Sequence, residues 1–504
     1  MHNSRDQCPA LSERETAMGL SRKTAAGQRS VTYRPRWPVV GRVLFRQGAV
    51  FQVLLLPPLA AAVLDGEAGL AAALAGPALL AGAVTLWQRR SELPEDIRRI
   101  EAVLSVVLVF VLGALLAAPA YAVLGLTPVD ALFEATSALT TTGFSMIAVP
   151  EDLPAAAHVL RAWSQWCGGL VIAVAGLAFL MDPGPVSKAL GFADFGEGRL
   201  ETSTRSHAQA LLWAYLAVTG IGIAGALLLV PGVFEGPLLA LSAVSTGGMG
   251  PRGDSLASYP VAAQGFVILM SVLGALSLAF PVLIHRRGLR DAMRTSGVVS
   301  VLKLLLAALC ASVVFVLLSG DGSADQLWHG ALTVLSLQST AGFTIGPVPG
   351  PSPFFVLLIA LMMIGGQTGS TAGGVKIDRA RLLLGSVSLM VRRLLSPVKA
   401  VLYLRLDGDI IDPERVVFTV ALVVAYAATA FGLLIAFTLH GLPPAGSLFD
   451  IVSALSTVGA GTGVIGPELP WDLKMLTIFA MLLGRVEFFG LLVLAAPGTW
   501  IRRD

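Results

Sequence analysis

The sequence predicts an all-α polytopic membrane protein, and three observations carry that reading. Of its 504 residues, 55% are hydrophobic and 13% charged, about half the charged share of a soluble chain. That is too much apolar surface for disorder and too little charge for an ordinary soluble exterior. Apolar stretches long enough to cross about 30 Å of hydrocarbon recur along the chain, and the connections between them alternate between rich and poor in Lys and Arg. A short Ser/Thr/Gly motif appears four times, always between two such stretches. Cys8, Cys167 and Cys310 are too scattered for a disulfide framework or a zinc site.

Taken in order, residues 1–40 read as a polar, mostly disordered N-terminal arm without the apolar core and cleavage site of a signal peptide. Spans are predicted near 49–64, 68–86, 101–124, 160–181, 209–231, 261–284, 299–319, 353–390 (interrupted), 416–440 and 473–497. Arg34, Arg36, Arg42 and Arg46 precede the first span, and Arg89, Arg90, Arg98 and Arg99 follow the second. Lys188, Arg199 and Arg205 follow the fourth, and Arg286, Arg287, Arg290 and Arg294 the sixth. Arg392, Arg393, Lys399, Arg405 and Arg415 follow the eighth, and Arg502 and Arg503 close the chain. The opposite connections carry only Arg161, Arg252 and Lys474. Basic connections stay in the cytoplasm, so both termini and every even-numbered junction are placed there. On the outer side Asp130, Glu134, Glu151, Asp152, Asp254, Asp321, Asp325, Glu468 and Asp472 are expected to form a thin acidic rim that concentrates cations. Trp163 and Trp166 fall where an interfacial aromatic belt would sit.

The motif reads S-A-L-T-T-T-G-F from Ser137, S-A-V-S-T-G-G-M from Ser242, S-L-Q-S-T-A-G-F from Ser336 and S-A-L-S-T-V-G-A from Ser453. Its shared core, Ser-x-x-x-Thr-x-Gly, is expected by chance only about 0.2 times in such a chain. The Thr-x-Gly positions are Thr141-Thr142-Gly143, Thr246-Gly247-Gly248, Thr340-Ala341-Gly342 and Thr457-Val458-Gly459. Apolar runs at 130–140, 238–245, 327–339 and 448–456 precede them, too short to span and too apolar for exposed loops, which suits re-entrant helices. Non-helical backbone at membrane depth must be buried in protein or line a watery cavity. Four such segments around one axis make a ring of carbonyls able to replace a cation's water shell. The plainer reading, that small residues merely let helices pack closely, does not explain four copies in register.

The eighth span begins with an apolar run of only about 18 Å of helix, 353–364. Gly365-Gly366-Gln367-Thr368-Gly369-Ser370-Thr371-Ala372-Gly373-Gly374 follows, then Lys376. Glycine at that density breaks a helix. A phosphate-binding loop is excluded by the lysine spacing and the lack of a preceding strand; a short cytoplasmic linker remains the bland alternative to a mobile intramembrane loop. Arg485 sits about 18 Å into the last span, where a charge costs several kcal/mol unless it meets water or an acceptor. Carbonyls and hydroxyls of the Gly-rich loop are its expected partners, with Glu487 turned away.

These motifs, with S-Q-W-C-G-G-L from Ser164, the Gly365 loop and G-R-V-E from Gly484, make the chain resemble the TrkH/KtrB superfamily of potassium transporters and channels, which includes the plant HKT proteins. The resemblance runs from about residue 100 to the end, and the two extra leading spans suit the TrkH branch. It implies four helix–pore-loop–helix repeats around a single pore, at 100–200, 201–295, 296–405 (second helix broken) and 406–504, preceded by two extra helices in 41–99. It implies K+ as the transported ion, held at the twelve Thr-x-Gly residues with Gly143, Gly248, Gly342 and Gly459 as selectivity glycines. Gly143 stands where Ser accompanies sodium transport in some plant relatives. The sequence departs from the family pattern at Gly247, Met249 and Ala460, leaving the ring intact. The resemblance further implies a gate formed by Gly365, Gly366, Gln367, Thr368, Gly369, Ser370, Thr371, Gly373, Gly374, Lys376 and Arg485, a homodimer in the bacterial inner membrane, and a separate cytosolic nucleotide-binding ring subunit. No cofactor or nucleic-acid partner is expected. No paired carboxylates or nucleophile–base spacing stands in the spans, so an enzyme is not expected. Sodium or weakly selective cation passage and cation symport stay open as alternatives.

Overall fold

The computed structural model describes residues 35–46, 49–88, 99–175, 200–318, 322–397, 400, 402–406 and 409–495. The arm at 1–34, the basic residues Arg89, Arg90, Arg98, Lys188, Arg199, Lys399, Arg502 and Arg503, Asp321, and the expected ends of the fourth and tenth spans lie outside them.

Helices α1 (Trp37–Arg46), α2 (Ala49–Leu64) and α3 (Ala68–Gln88) lead the chain. Four successive groups follow, each a long helix, a short one, then a second long or broken helix. The first is α4 (Arg99–Val123), α5 (Pro128–Leu139) and α6 (Ala155–Ala175). The second is α7 (Leu200–Leu229), α8 (Glu235–Val244), α9 (Val261–Ala275) and α10 (Ala279–Arg287), with α11 (Leu289–Thr295) trailing. The third is α12 (Val298–Leu318), α13 (Ala324–Gln338), α14 (Pro353–Ile364) and α15 (Ile377–Leu394). A two-residue antiparallel ribbon, β1 (Arg405–Leu406) with β2 (Asp409–Ile410), precedes α16 (Pro413–Leu439), α17 (Pro444–Leu455), α18 (Trp471–Arg485) and α19 (Phe489–Ala495).

Local chemistry sets the starts. Thr127, Ser323, Ser352 and Asp412 each cap a helix with a side-chain oxygen, three of them before a proline at the first turn. Among the described residues six helices are long and apolar enough to span, or seven if α9 and α10 count as one. Of the other three expected spans, two are broken and the fourth is described, over Ala155–Ala175, as one helix that carries polar residues. The stretch 353–390 is cut into α14 and α15, and 473–497 into α18 and α19. The fourth begins earlier, at Ala155, and turns Arg161, Ser164 and Gln165 into the protein.

Two breaks were not expected from the sequence. The sixth span bends by 75° between α9 and α10. Its freed carbonyls are taken up by the Gly-rich loop: the Gln367 N–H donates to Ala275 (3.0 Å) and that of Thr371 to Gly274 (3.2 Å). The tenth breaks at Glu487 and Phe488, both in left-handed backbone at φ 54° and 64°.

Three second helices present a glycine to the last turn of their own group's short helix. A Cβ on Gly168 would lie 1.8 Å from the Leu139 oxygen, on Gly274 2.4 Å from that of Val244, and on Gly484 2.0 Å from that of Leu455. These approaches fix the short helices against their neighbours. Gly274→Ala and Gly484→Ala are each expected to cost about 1–3 kcal/mol, seen as a lower Tm of the detergent-solubilised protein. Gly432→Ala, which meets nothing within 4 Å in α16, should be stabilising by about 0.5–1 kcal/mol; equal losses at Gly432 and Gly484 would contradict this packing.

Candidate functional site

The four short helices α5, α8, α13 and α17 end in the same way. In each, the motif threonine is left-handed: Thr141 at φ 54°, Thr246 at 55°, Thr340 at 57° and Thr457 at 50°. The residue after it donates its N–H back to the carbonyl of the motif serine: Thr142 to Ser137 (2.9 Å), Gly247 to Ser242 (2.8 Å), Ala341 to Ser336 (3.1 Å) and Val458 to Ser453 (2.8 Å). This is a Schellman termination with Thr where Gly is usual. The spacing Ser-x-x-x-Thr-x-Gly is therefore the spacing of a helix stop. The glycines Gly143, Gly248, Gly342 and Gly459 are left-handed again, at φ 100°, 76°, 70° and 80°, whereas the residues between are not. Backbone that alternates in hand turns successive carbonyls to one side instead of to opposite sides.

The loops meet in a closed ring. A Cβ on Gly143 would lie 2.5 Å from the Gly247 oxygen, on Gly248 2.1 Å from that of Ala341, on Gly342 1.8 Å from that of Val458, and on Gly459 1.9 Å from that of Thr142. The twelve Thr-x-Gly residues are thus brought together, and glycine is needed four times for both φ and space.

The Gly-rich loop lies buried against the ends of these helices. It folds back on itself, the Val375 N–H donating to Met363 (2.8 Å) and that of Lys376 to Ile364 (2.9 Å), while Gly365 accepts from the Gln338 side chain (2.6 Å). Gln367 bridges from α13's neighbours to the second group, accepting from the Ser277 N–H (3.0 Å) and donating to Ser296. The Thr368 N–H donates to Asp378, Gly369 accepts from Leu278, and Ser370 donates to Gln367. Gly366 and Gly374 are packed tightly within the loop, and the Lys376 ammonium donates to Ala372. The Thr371 hydroxyl faces the carbonyls of Val244 (3.1 Å) and Gly274 (2.9 Å), the Gly373 N–H donates to Thr340 Oγ1 (2.8 Å), and Gly373 also abuts Ser456 and Thr457. Arg485, 2% exposed, donates to the Thr371 carbonyl (2.8 Å) and the Gly168 carbonyl (3.0 Å). Loop and arginine together touch all four groups.

The family described as TrkH, cation transport protein, matches residues 78–296 and 296–500. The chain belongs to the TrkH family. It is 31% identical to the Trk system potassium uptake protein TrkH of Halomonas elongata over 74% of this chain and 80% of that one. An uncharacterized cation transporter of Methanocaldococcus jannaschii is 29% identical over 73% and 76%, and TrkH of Escherichia coli 29% over 84% and 90%. The fold matches the crystal structure of the potassium transporter TrkH from Vibrio parahaemolyticus with a TM-score of 0.81, at 23% identity, over 92% of this chain and 100% of that one. This TrkH-family chain is a multi-pass membrane protein.

The structure corrects several expectations. Glu134 is not a rim charge: it is fully buried, accepting from the Met146 N–H (2.8 Å), Ser145 and Arg161 Nε (3.1 Å). Asp130 is bound to Lys474 (2.6 Å), whereas Glu151 stays exposed, its carboxyl held below the usual range by the Gly253 N–H (2.6 Å). Trp166 is no belt residue: it is buried, stacked on Trp163 and donating to Thr219. Glu487, expected to turn away from Arg485, pairs instead with Arg379. Sequence reasoning also missed the residues behind the loops: Asp450, which accepts from the N–H groups of Thr462, Val464 and Ile465, Gln165, which accepts from the Met249 N–H, and Ser255, which accepts from that of Thr344. Only the placement of Asp450 three residues before its motif serine, like Glu134, was a signal.

Removing an acceptor tests the loop's attachment. Thr340→Val strands the buried Gly373 N–H, a loss of about 1–3 kcal/mol locally. Hydrogen exchange at residues 371–376 should rise by roughly tenfold or more, while exchange in α16 stays as in the wild type.

Proposed function

We propose that this chain takes up potassium across the bacterial cytoplasmic membrane by channel-like passage through the four-loop ring. The observation that carries the reading is the ring itself: four helix stops of one geometry, closed glycine to carbonyl, with backbone oxygens turned to one side. Such oxygens replace the water shell of a cation. The relatives named as potassium uptake proteins support K+ as the ion. Thr141 and Thr457 add buried hydroxyls without hydrogen-bond partners among the described residues, that of Thr457 beside Gly373 of the Gly-rich loop. No cofactor is required, because the inside-negative potential supplies about 2.3 kcal/mol per charge per 100 mV.

In this reading residues 365–376 close the path beneath the ring, and Arg485 pins them while setting a positive charge against cations. Both termini face the cytoplasm, units 100–200, 201–295, 296–405 and 406–504 are the pore repeats, the chain pairs as a homodimer, and a separate cytosolic nucleotide-binding ring subunit acts on the basic inner connections.

Expression in a potassium-uptake-deficient bacterium should restore growth at low K+. Gly342→Ala, whose Cβ would collide with Val458, should cut Rb+ uptake by roughly tenfold or more, and Gly143→Ser should shift uptake toward Na+. Failure of the wild type to rescue at normal membrane levels, or rescue driven by Na+ alone, would refute potassium uptake. Arg485→Ala should raise cation flux severalfold at matched expression; equal or smaller flux would refute the barrier.

A further inference from the structure

Behind the first two loops lies a side-chain assembly with no counterpart in the other two among the described residues. Arg161 and Gln165 stand one turn apart on α6 and aim at the same place. The Arg161 guanidinium, 4% exposed, spreads over both loops: Nε donates to Glu134 Oε1 (3.1 Å), one terminal nitrogen to Ser145 Oγ (3.3 Å), and the other to the Gly250 carbonyl (3.1 Å). Glu134 in turn holds the outgoing strand of the first loop through the Met146 N–H. Gln165 Oε1 accepts from the Met249 N–H (3.0 Å) and from Ser242 Oγ (2.9 Å), and its amide donates to the Arg161 carbonyl (3.1 Å). The Gln165 side chain fills the space that a Cβ on Gly247 would need, 2.1 Å from that position.

This explains why the second loop carries two glycines. Gly247 is not left-handed, so its backbone does not demand glycine; Gln165 does. The second loop has Leu239 at the position held by Glu134 and Asp450, and the acid of its short helix, Glu235, binds the side chains of Arg252 and Tyr259 instead of the backbone just after the motif. The backbone at Met249 and Gly250 is therefore held from α6.

We infer that Arg161 and Gln165 are positioning residues for ion selectivity: they fix the first and second loops relative to each other, and so set the discrimination between K+ and Na+ rather than the capacity to carry cations. The inference rests on the proposed uptake function. Discrimination depends on where the carbonyls are held, and a rigid buried network holds them better than isolated contacts. Arginine serves here because its planar fork spreads donors over three nitrogens and so reaches three separated acceptors, whereas a lysine's donors share one nitrogen.

The test uses the full-length chain reconstituted in liposomes, with Rb+ and Na+ uptake measured under an inside-negative potential and normalised to folded protein. Arg161→Gln is combined with Glu134→Gln so that no unpaired charge is left buried. This double variant and Gln165→Ala should each lower the Rb+/Na+ uptake ratio about three- to tenfold, with Rb+ uptake itself changed less than about threefold. Arg161→Lys should fall between them and the wild type. Gly247→Ala should lower the ratio as Gln165→Ala does, and the two together should be no worse than either alone, because both act by displacing one side chain. Ser145→Ala, which removes one contact of Arg161, gives the same direction at smaller size if the larger changes prevent folding. A selective wild type whose ratio survives these changes, or variants that lose both cations equally, would overturn this inference alone. A wild type that carries Na+ as readily as Rb+ overturns the potassium reading with it.

Discussion

Every peptide group inside a bilayer must find its hydrogen bond within the protein, and this chain stops four short helices in buried backbone. The stop depends on placing threonine, a β-branched residue, in left-handed backbone four times, at a cost of about 1–2 kcal/mol each. The Ser carbonyl bonds, the glycines of the second helices and the glycine-to-carbonyl ring offset that cost by leaving each stop no other conformation. Strain held by its surroundings in this way gathers where a protein does its work.

What was legible in the sequence follows from how local each interaction is. The helix stop is a bond between residues five apart, so Ser-x-x-x-Thr-x-Gly wrote it into the chain four times. Arg485 was legible through its cost, since a charge at that depth needs an acceptor, and the Thr371 carbonyl is one. The breaks at 276–278 and 487–488 were not legible. Pro281, four residues beyond Ser277, disfavours a continuous helix at the first break but does not by itself give a 75° bend, and the groups that satisfy that break come from a loop about 90 residues away in the chain. Glu134 and Arg161 lie 27 residues apart and each, taken alone, reads as a charge at a membrane mouth. Family resemblance, not spacing, supplied the expectation of one shared pore.

The four groups agree in backbone and differ in side chains. The backbone N–H groups after the motif are held by an acid of the same short helix in loops one and four, by Gln165 from the preceding group in loop two, and by Ser255 from the segment beside it in loop three. The geometry at the ring is held in common while the means of holding it have diverged. The Gly-rich loop breaks the symmetry most strongly, inserting only from the third group and tying Thr340 but not Thr141 or Thr457.

The glycine-to-carbonyl contacts have a further consequence. Loop one rests on two, two on three, three on four, and four on one again, so the ring has a direction of rotation as well as a fourfold order. Each loop is both a support and a burden, and none is first. Enlarging any one glycine presses on a single neighbour, whose own glycine then presses on the next. The ring therefore behaves as an arch without a keystone: its shape belongs to the circuit, and the four segments can drift in sequence only as far as the circuit still closes.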